Sequence, residues 1–90
     1  MDFEGFLKDV LTPMVDHPEA LKVEVKGEGR KRAIWIHAEA SDRGRIIGKS
    51  GRMIQSLRTL CRAAGDKAGL NVDLELHEED RGEERGGDRA

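Results

Sequence analysis

Between Leu21 and Leu76 the spacing of apolar residues changes from two, to three and four, and back to two. This order of periods restricts the architectures open to the chain. Leu21, Val23 and Val25 alternate with Lys22, Glu24 and Lys26, the pattern of a half-buried strand. Ile34, Ile36 and Ala38 alternate with Ala33, Trp35, His37 and Glu39 as a second strand. Gly27-Glu28-Gly29 reads as the turn between them, so the two should form a hairpin. A helical period follows. Ser41 is a candidate N-cap for a short helix through Ile46 and Ile47, and Gly48-Lys49-Ser50-Gly51 interrupts it. Beyond the break, Met53, Leu57, Leu60 and Ala64 share one face, with Ile54 and Cys61 alongside and Gly65 as the expected C-cap. Leu70, Val72, Leu74 and Leu76 then alternate with polar residues as a third strand. Ahead of all this, Phe3, Leu7, Val10, Leu11 and Met14 mark an amphipathic helix that Pro13 should kink or end early.

The order helix, strand, strand, helix, helix, strand predicts an α+β fold. Strands one and two pair antiparallel, and the two-helix crossover makes strands two and three parallel neighbours. The result is a three-stranded mixed sheet with the Ile34/Ile36 strand in the middle and three helices on one face. Trp35 falls on the other face, where lysine stems from Lys22 or Lys26, or a dimer contact, would cover it. Ninety residues allow one small core. The expected domain spans residues 1–76, with a core strand-helix-helix-strand unit over 31–76. From His77 to Ala90 there is only charge and glycine, too little apolar surface to offset the entropy of ordering, so 77–90 is predicted to be disordered.

Several function classes drop out early. No apolar run approaches the ~20 residues of a membrane helix, and Met1-Asp2-Phe3-Glu4 carries acids where a secretory signal carries positive charge. A cytoplasmic chain without membrane attachment is expected. Cys61 is the single cysteine and reads as a small buried side chain. His17, His37 and His77 are too scattered for a local metal motif, so no metal and no cofactor are predicted.

The formal net charge of −2 conceals a strong asymmetry. Residues 41–62 hold Arg43, Arg45, Lys49, Arg52, Arg58 and Arg62 against Asp42 alone, while every other stretch is net acidic. A basic patch inside an acidic chain is the footprint of a face that meets phosphate, although a solvated helix face rich in arginine would look the same.

Gly48-Lys49-Ser50-Gly51 lies inside that patch. Two glycines three apart let the backbone turn sharply and let a ligand approach main chain with no Cβ in the way. The second glycine opens a helix whose first amides lack intrahelical acceptors and whose dipole favours anions. Lys49 and Arg52 add full charges. Ile47 and Ile54, with Val72 or Leu74, can line a shallow aliphatic groove beside the phosphate track. Neither the Gly-x-x-x-x-Gly-Lys-Ser/Thr spacing of a mononucleotide loop nor Gly-x-Gly-x-x-Gly is present.

A Gly-x-x-Gly loop between two short helices, preceded by Ile46-Ile47 in a strand-helix-helix-strand unit, resembles the KH domain. The helix and strand ahead of that unit resemble its type II arrangement. The chain is similar, over about residues 3–76, to the small bacterial single-KH family called KhpA. The likeness runs through Val15-Asp16-His17-Pro18-Glu19, through Gly44-Arg45-Ile46-Ile47-Gly48-Lys49-Ser50-Gly51-Arg52, and through Leu57-Arg58-Thr59. Pro13 and the acidic glycine-rich tail depart from the family pattern. The resemblance implies single-stranded RNA binding, an RNA-chaperone or post-transcriptional role, self-association as a homodimer, pairing with a larger KH protein called KhpB, and a link to cell-wall synthesis and cell length.

On this reading the phosphates meet Gly48, Lys49, Ser50, Gly51 and Arg52, with Arg43 and Arg45 at the approach and Ile47 and Ile54 beneath the bases. Arg58 and Arg62 are left open between RNA and water. Only three aromatic residues are present, too few for an aromatic stacking platform. A different class of function, a protein-interaction subunit that docks on the larger KH partner, would announce itself by an exposed apolar patch on a helix or around Trp35. An enzyme is the poorest fit, because no nucleophile, base or carboxylate pair has a motif around it.

Overall fold

The computed structural model describes residues 2–77. Helix α1 (Phe3–Leu11) is followed by strands β1 (Lys22–Glu28) and β2 (Lys31–His37), helices α2 (Arg43–Ile47) and α3 (Arg52–Lys67), and strand β3 (Asn71–Leu76). The sheet order is β1-β2-β3, antiparallel on one side of β2 and parallel on the other, as the succession of periods predicts. Val23, Ile34, Ile36, Val72 and Leu74 turn one face of this α+β sheet into the core. Phe3, Leu7 and Leu11 of α1, Ile46 of α2 and Ile54, Leu57 and Cys61 of α3 close over it.

Local chemistry explains where each element stops. The Asp2 carboxylate accepts the Gly5 N–H at 3.0 Å and caps α1, a bond of about 1 kcal/mol at a helix start. Pro13 ends α1 early: the last turn tightens into a 3-10 turn over Thr12–Met14, where a proline's missing N–H costs nothing. Gly65 is not the C-cap. Helix α3 runs on to Lys67, and Gly69, at φ 78°, takes the left-handed position after it. Gly65 instead lets the helix meet the sheet, since a Cβ there would collide with the Val72 side chain. The inward seam of α3 is Ile54, Leu57, Cys61 and Gly65, which leaves Leu60 outside at 53% exposure.

The hairpin turn also sits later than its glycines suggested. β1 extends through Gly27 to Glu28, and the turn is Gly29-Arg30 with Gly29 at φ 61°. This carries the distal hairpin past the helical layer, so Val25 is 38% exposed although it shares a face with Val23. Trp35 lies half-buried on the helix-free face. The His77 ring meets it edge-on at 5.7 Å, and His77 in turn packs against His37 at 4.6 Å. The N–H of His77, the residue at which the expected tail begins, donates to the Ile36 carbonyl at 2.7 Å. The rest of the predicted tail, 78–90, lies outside the described residues.

Candidate nucleic-acid interface

Helix α2 ends because Gly48 leaves helical space. Its N–H still closes the last turn on the Gly44 carbonyl at 2.9 Å, but its own backbone sits at φ 79° and ψ 174°, a region open essentially to glycine alone. A Cβ at Gly48 would stand 2.5 Å from the Met53 Cβ and 2.9 Å from the Met53 nitrogen. This glycine is thus where the chain folds back tightly on the start of α3.

Ser50 follows in left-handed conformation at φ 56°, the one described non-glycine residue with positive φ, and Gly51 repeats it at φ 75°. Gly51 N–H donates to the Gly48 carbonyl at 3.1 Å and closes the turn. Unlike Gly48, Gly51 has nothing within 4 Å of its missing Cβ. The side chains of Lys49 and Ser50 are exposed.

Helix α3 then begins with no side-chain cap and no acid in its first turn. Sixteen residues of aligned peptide dipoles end at an N-terminus that no described residue caps. Among the described residues neither Lys49 nor Arg52 is ion-paired, and both are exposed. The combination suits a polyanion: open main chain, a positive helix end and two free cations on one turn.

The other basic residues are placed differently. Arg45 donates from Nη1 to Asp16 Oδ1 at 3.0 Å and to the Met14 carbonyl at 3.3 Å, tying α2 to the segment after α1. Arg43 is buried at 9% exposure and lines a cleft with Lys22, Glu24, His37 and His77 at the end of the sheet. Arg62 stands 3.8 Å from Asp73, and Arg58 Nε donates to the Leu74 carbonyl at 3.1 Å. The basic patch of the sequence is therefore largely a set of struts, and its unengaged part is Lys49 and Arg52.

The aliphatic groove is likewise smaller than expected. Ile54 is 9% exposed, and Val72 and Leu74 are buried with it, because the inward seam of α3 packs directly on β3. Ile47 alone of the four stays half-exposed.

Sequence reasoning missed Asp42. Only 1% exposed, it accepts the N–H groups of Asp16 and His17, both at 3.0 Å, and so holds the start of α2 against the segment after α1. Ser41 is not the cap at this point; the Glu39 carboxylate accepts the Ser41 N–H at 3.4 Å and starts a 3-10 turn over Ala40–Asp42. The signal available in sequence was an acid standing alone in a basic stretch.

The model of the family described as KhpA/KhpB, KH domain matches residues 4–76. The chain belongs to the KhpA/KhpB KH-domain family. Among its relatives is the RNA-binding protein KhpA of Bacillus subtilis, 34% identical over 73 residues, which cover 81% of this chain and 90% of that protein. The RNA-binding protein KhpA of Leifsonia xyli is 37% identical over 68 residues, 76% of this chain and 90% of that one. The RNA-binding protein KhpA of Mycobacterium tuberculosis is 34% identical over 61 residues, 68% and 75% of the respective chains. No solved structure gives a significant match. Among the described residues of this KhpA-like chain, no helix is long and apolar enough to cross a membrane, and no group of three or more His, Cys, Asp or Glu is placed to hold a metal ion.

Proposed function

We propose that the protein is a non-enzymatic single-stranded RNA-binding module that grips the sugar-phosphate backbone through Gly48, Lys49, Ser50, Gly51 and Arg52. The observation that carries this reading is the open Gly51 turn at the uncapped N-terminus of α3, flanked by two exposed, unpaired cations. The family relationship and the RNA-binding relatives point the same way. Ile47 offers the aliphatic surface nearest the loop. Arg45 joins the contact only by leaving Asp16, Arg43 only by leaving its buried position, and Ile54 supports the groove from within the core.

One such loop holds about four nucleotides, and its affinity alone falls near the micromolar end of nonspecific binding. Self-association as a homodimer then raises affinity by offering one strand two loops. An RNA-chaperone or post-transcriptional role in the cytoplasm, partnership with a KhpB-like KH protein, and effects on cell-wall synthesis and cell length complete the proposal by family relationship.

Replacing Lys49 and Ser50 together by Asp tests the reading. Aspartate tolerates the left-handed position of Ser50 better than most residues, so the melt should stay close to wild type while RNA retention on a filter is lost. Retention that survives the double change refutes the site.

A second reading, docking on a larger partner, has its own supporting observation. Leu60 is 53% exposed on α3, between the half-buried Met53 and Ala64 at helical spacing. The two roles use different faces and are compatible.

A further inference from the structure

The free edge of β3 carries an arginine whose placement bears on which base the groove accepts. Asn71 donates its N–H to the Arg30 carbonyl and His77 to the Ile36 carbonyl, each at 2.7 Å. Along a strand, the N–H and C=O of one residue address one neighbour and those of the next address the other side. Asn71, Asp73, Glu75 and His77 therefore face β2, and Val72, Leu74 and Leu76 turn their amides and carbonyls to the outer edge, where no further strand lies among the described residues.

On that edge the Leu74 carbonyl is already taken. Arg58 Nε donates to it at 3.1 Å, Nη1 donates to Gln55 Oε1 at 2.7 Å, and Nη2 stands 3.6 Å from Glu75 Oε1. A guanidinium has more N–H groups than these contacts use, and the side chain is 24% exposed, so an oriented donor remains within reach of solvent. Gly65 packs on Val72 and Arg58 on Leu74, which sets α3 antiparallel to β3 and puts the glycine loop toward the Leu76 end. Arg58 lies six residues from Arg52, about 9 Å along the helix axis.

An open strand edge offers a base both an acceptor and a donor. At Leu74, where the guanidinium engages the carbonyl, the edge offers the Leu74 N–H and the remaining guanidinium N–H groups, both donors. Guanine presents two adjacent acceptors, O6 and N7, and arginine reads them as a pair; adenine places an N6 amino donor where guanine has O6. An amino group set against these two donors finds no acceptor at Leu74, which is how a polar site rejects the wrong ligand. We infer that Arg58, by capping the Leu74 carbonyl on the free edge of β3, makes this position of the groove select guanine over adenine. The inference rests on the RNA reading above, with Arg58 as its specificity-determining residue.

The test is fluorescence anisotropy with two labelled oligouridylates, roughly twice the footprint of one loop, that differ only in a central guanosine or adenosine. The wild-type protein should prefer the guanosine oligomer roughly tenfold. Arg58→Ala should abolish the preference, by weakening the guanosine complex and tightening the adenosine one as the Leu74 carbonyl is released. Arg58→Lys, which keeps a donor without the fork, should fall between them and serves if Arg58→Ala melts early. Equal binding of the two oligomers by the wild type overturns the inference. So does a loss in Arg58→Ala that is the same for both, which would mark a backbone contact, or a guanosine preference that survives it, which would mark a strut. If the wild type binds neither oligomer, the RNA reading itself fails and takes this inference with it.

Discussion

The carboxylate of Asp42 accepts the backbone N–H of Asp16 at 3.0 Å, joining residues 26 positions apart in sequence. The His17 N–H, also at 3.0 Å, fills the second oxygen. These bonds fix the start of α2, and through it the loop that α2 delivers. The Asp16 N–H holds the Asp42 carboxyl below its ordinary value near 3.8, aided by the His17 N–H, by charge on His17 and by Arg45, while burial acts in the opposite sense. A carboxyl whose folded pKa is depressed contributes stability above its unfolded pKa and loses it as pH falls through the folded one. The melting temperature should therefore drop below about pH 4. Asp42→Asn should melt lower at neutral pH and show a flatter acid limb; an unchanged limb assigns the acid sensitivity to other carboxyls.

Gly48 and Gly51 should respond differently to alanine. At Gly48 the new Cβ meets Met53 main chain as well as a forbidden φ and ψ, so Gly48→Ala should cost more than about 3 kcal/mol in denaturant unfolding. At Gly51 there is space, and only the left-handed backbone resists, at about 1–2 kcal/mol. Gly51→Ala should fold and bind RNA less tightly, since a methyl then projects where main chain was open. Equal costs at the two positions would contradict this division between packing and access.

Apolar period made the elements and their order legible, because alternation and the three-four repeat report directly on which face is buried. Ile34 and Ile36 sit where the sequence placed them, fully inside. Side-chain engagement was not legible, because charge in sequence does not say which acid lies opposite. Arg45 meets Asp16 from 29 residues away, and Arg62 approaches Asp73 only because α3 folds back on β3. Gly27 and Gly65 depart from expectation for a common reason: a glycine reads as a breaker in sequence, whereas Gly65 serves close packing and Gly27 lies in a strand beside the folded-over Arg32. Leu60 and Leu57 both fit the helical repeat, and only the seam chosen by Gly65 decides between them.

Leu60→Lys tests whether the exposed side of α3 forms the contact between copies in the proposed homodimer. An exposed leucine contributes little to the monomer, and lysine is a good helix former, so the melt should move by less than about 0.5 kcal/mol in equivalent stability. If α3 forms the contact between copies, sedimentation should shift toward the monomer. A sedimentation profile identical to wild type, with self-association intact, would place the contact elsewhere, with the helix-free face around the half-buried Trp35 next in line.

Salt dependence separates the cations that meet phosphate from those that brace the fold. Each phosphate neutralised on a single strand contributes about −0.7 to the slope of log affinity against log salt. Lys49 and Arg52 are exposed and unpaired, so Lys49→Ala and Arg52→Ala should each shallow the slope by about that amount. Arg45 is held by Asp16 and the Met14 carbonyl, and using it on RNA means giving up those bonds. Arg45→Ala should leave the slope nearly unchanged and lower stability by roughly the 0–1 kcal/mol of a surface ion pair. A slope that falls as much for Arg45→Ala as for Arg52→Ala would show that RNA breaks the Arg45–Asp16 bridge on binding, and that the approach to the loop extends back along α2.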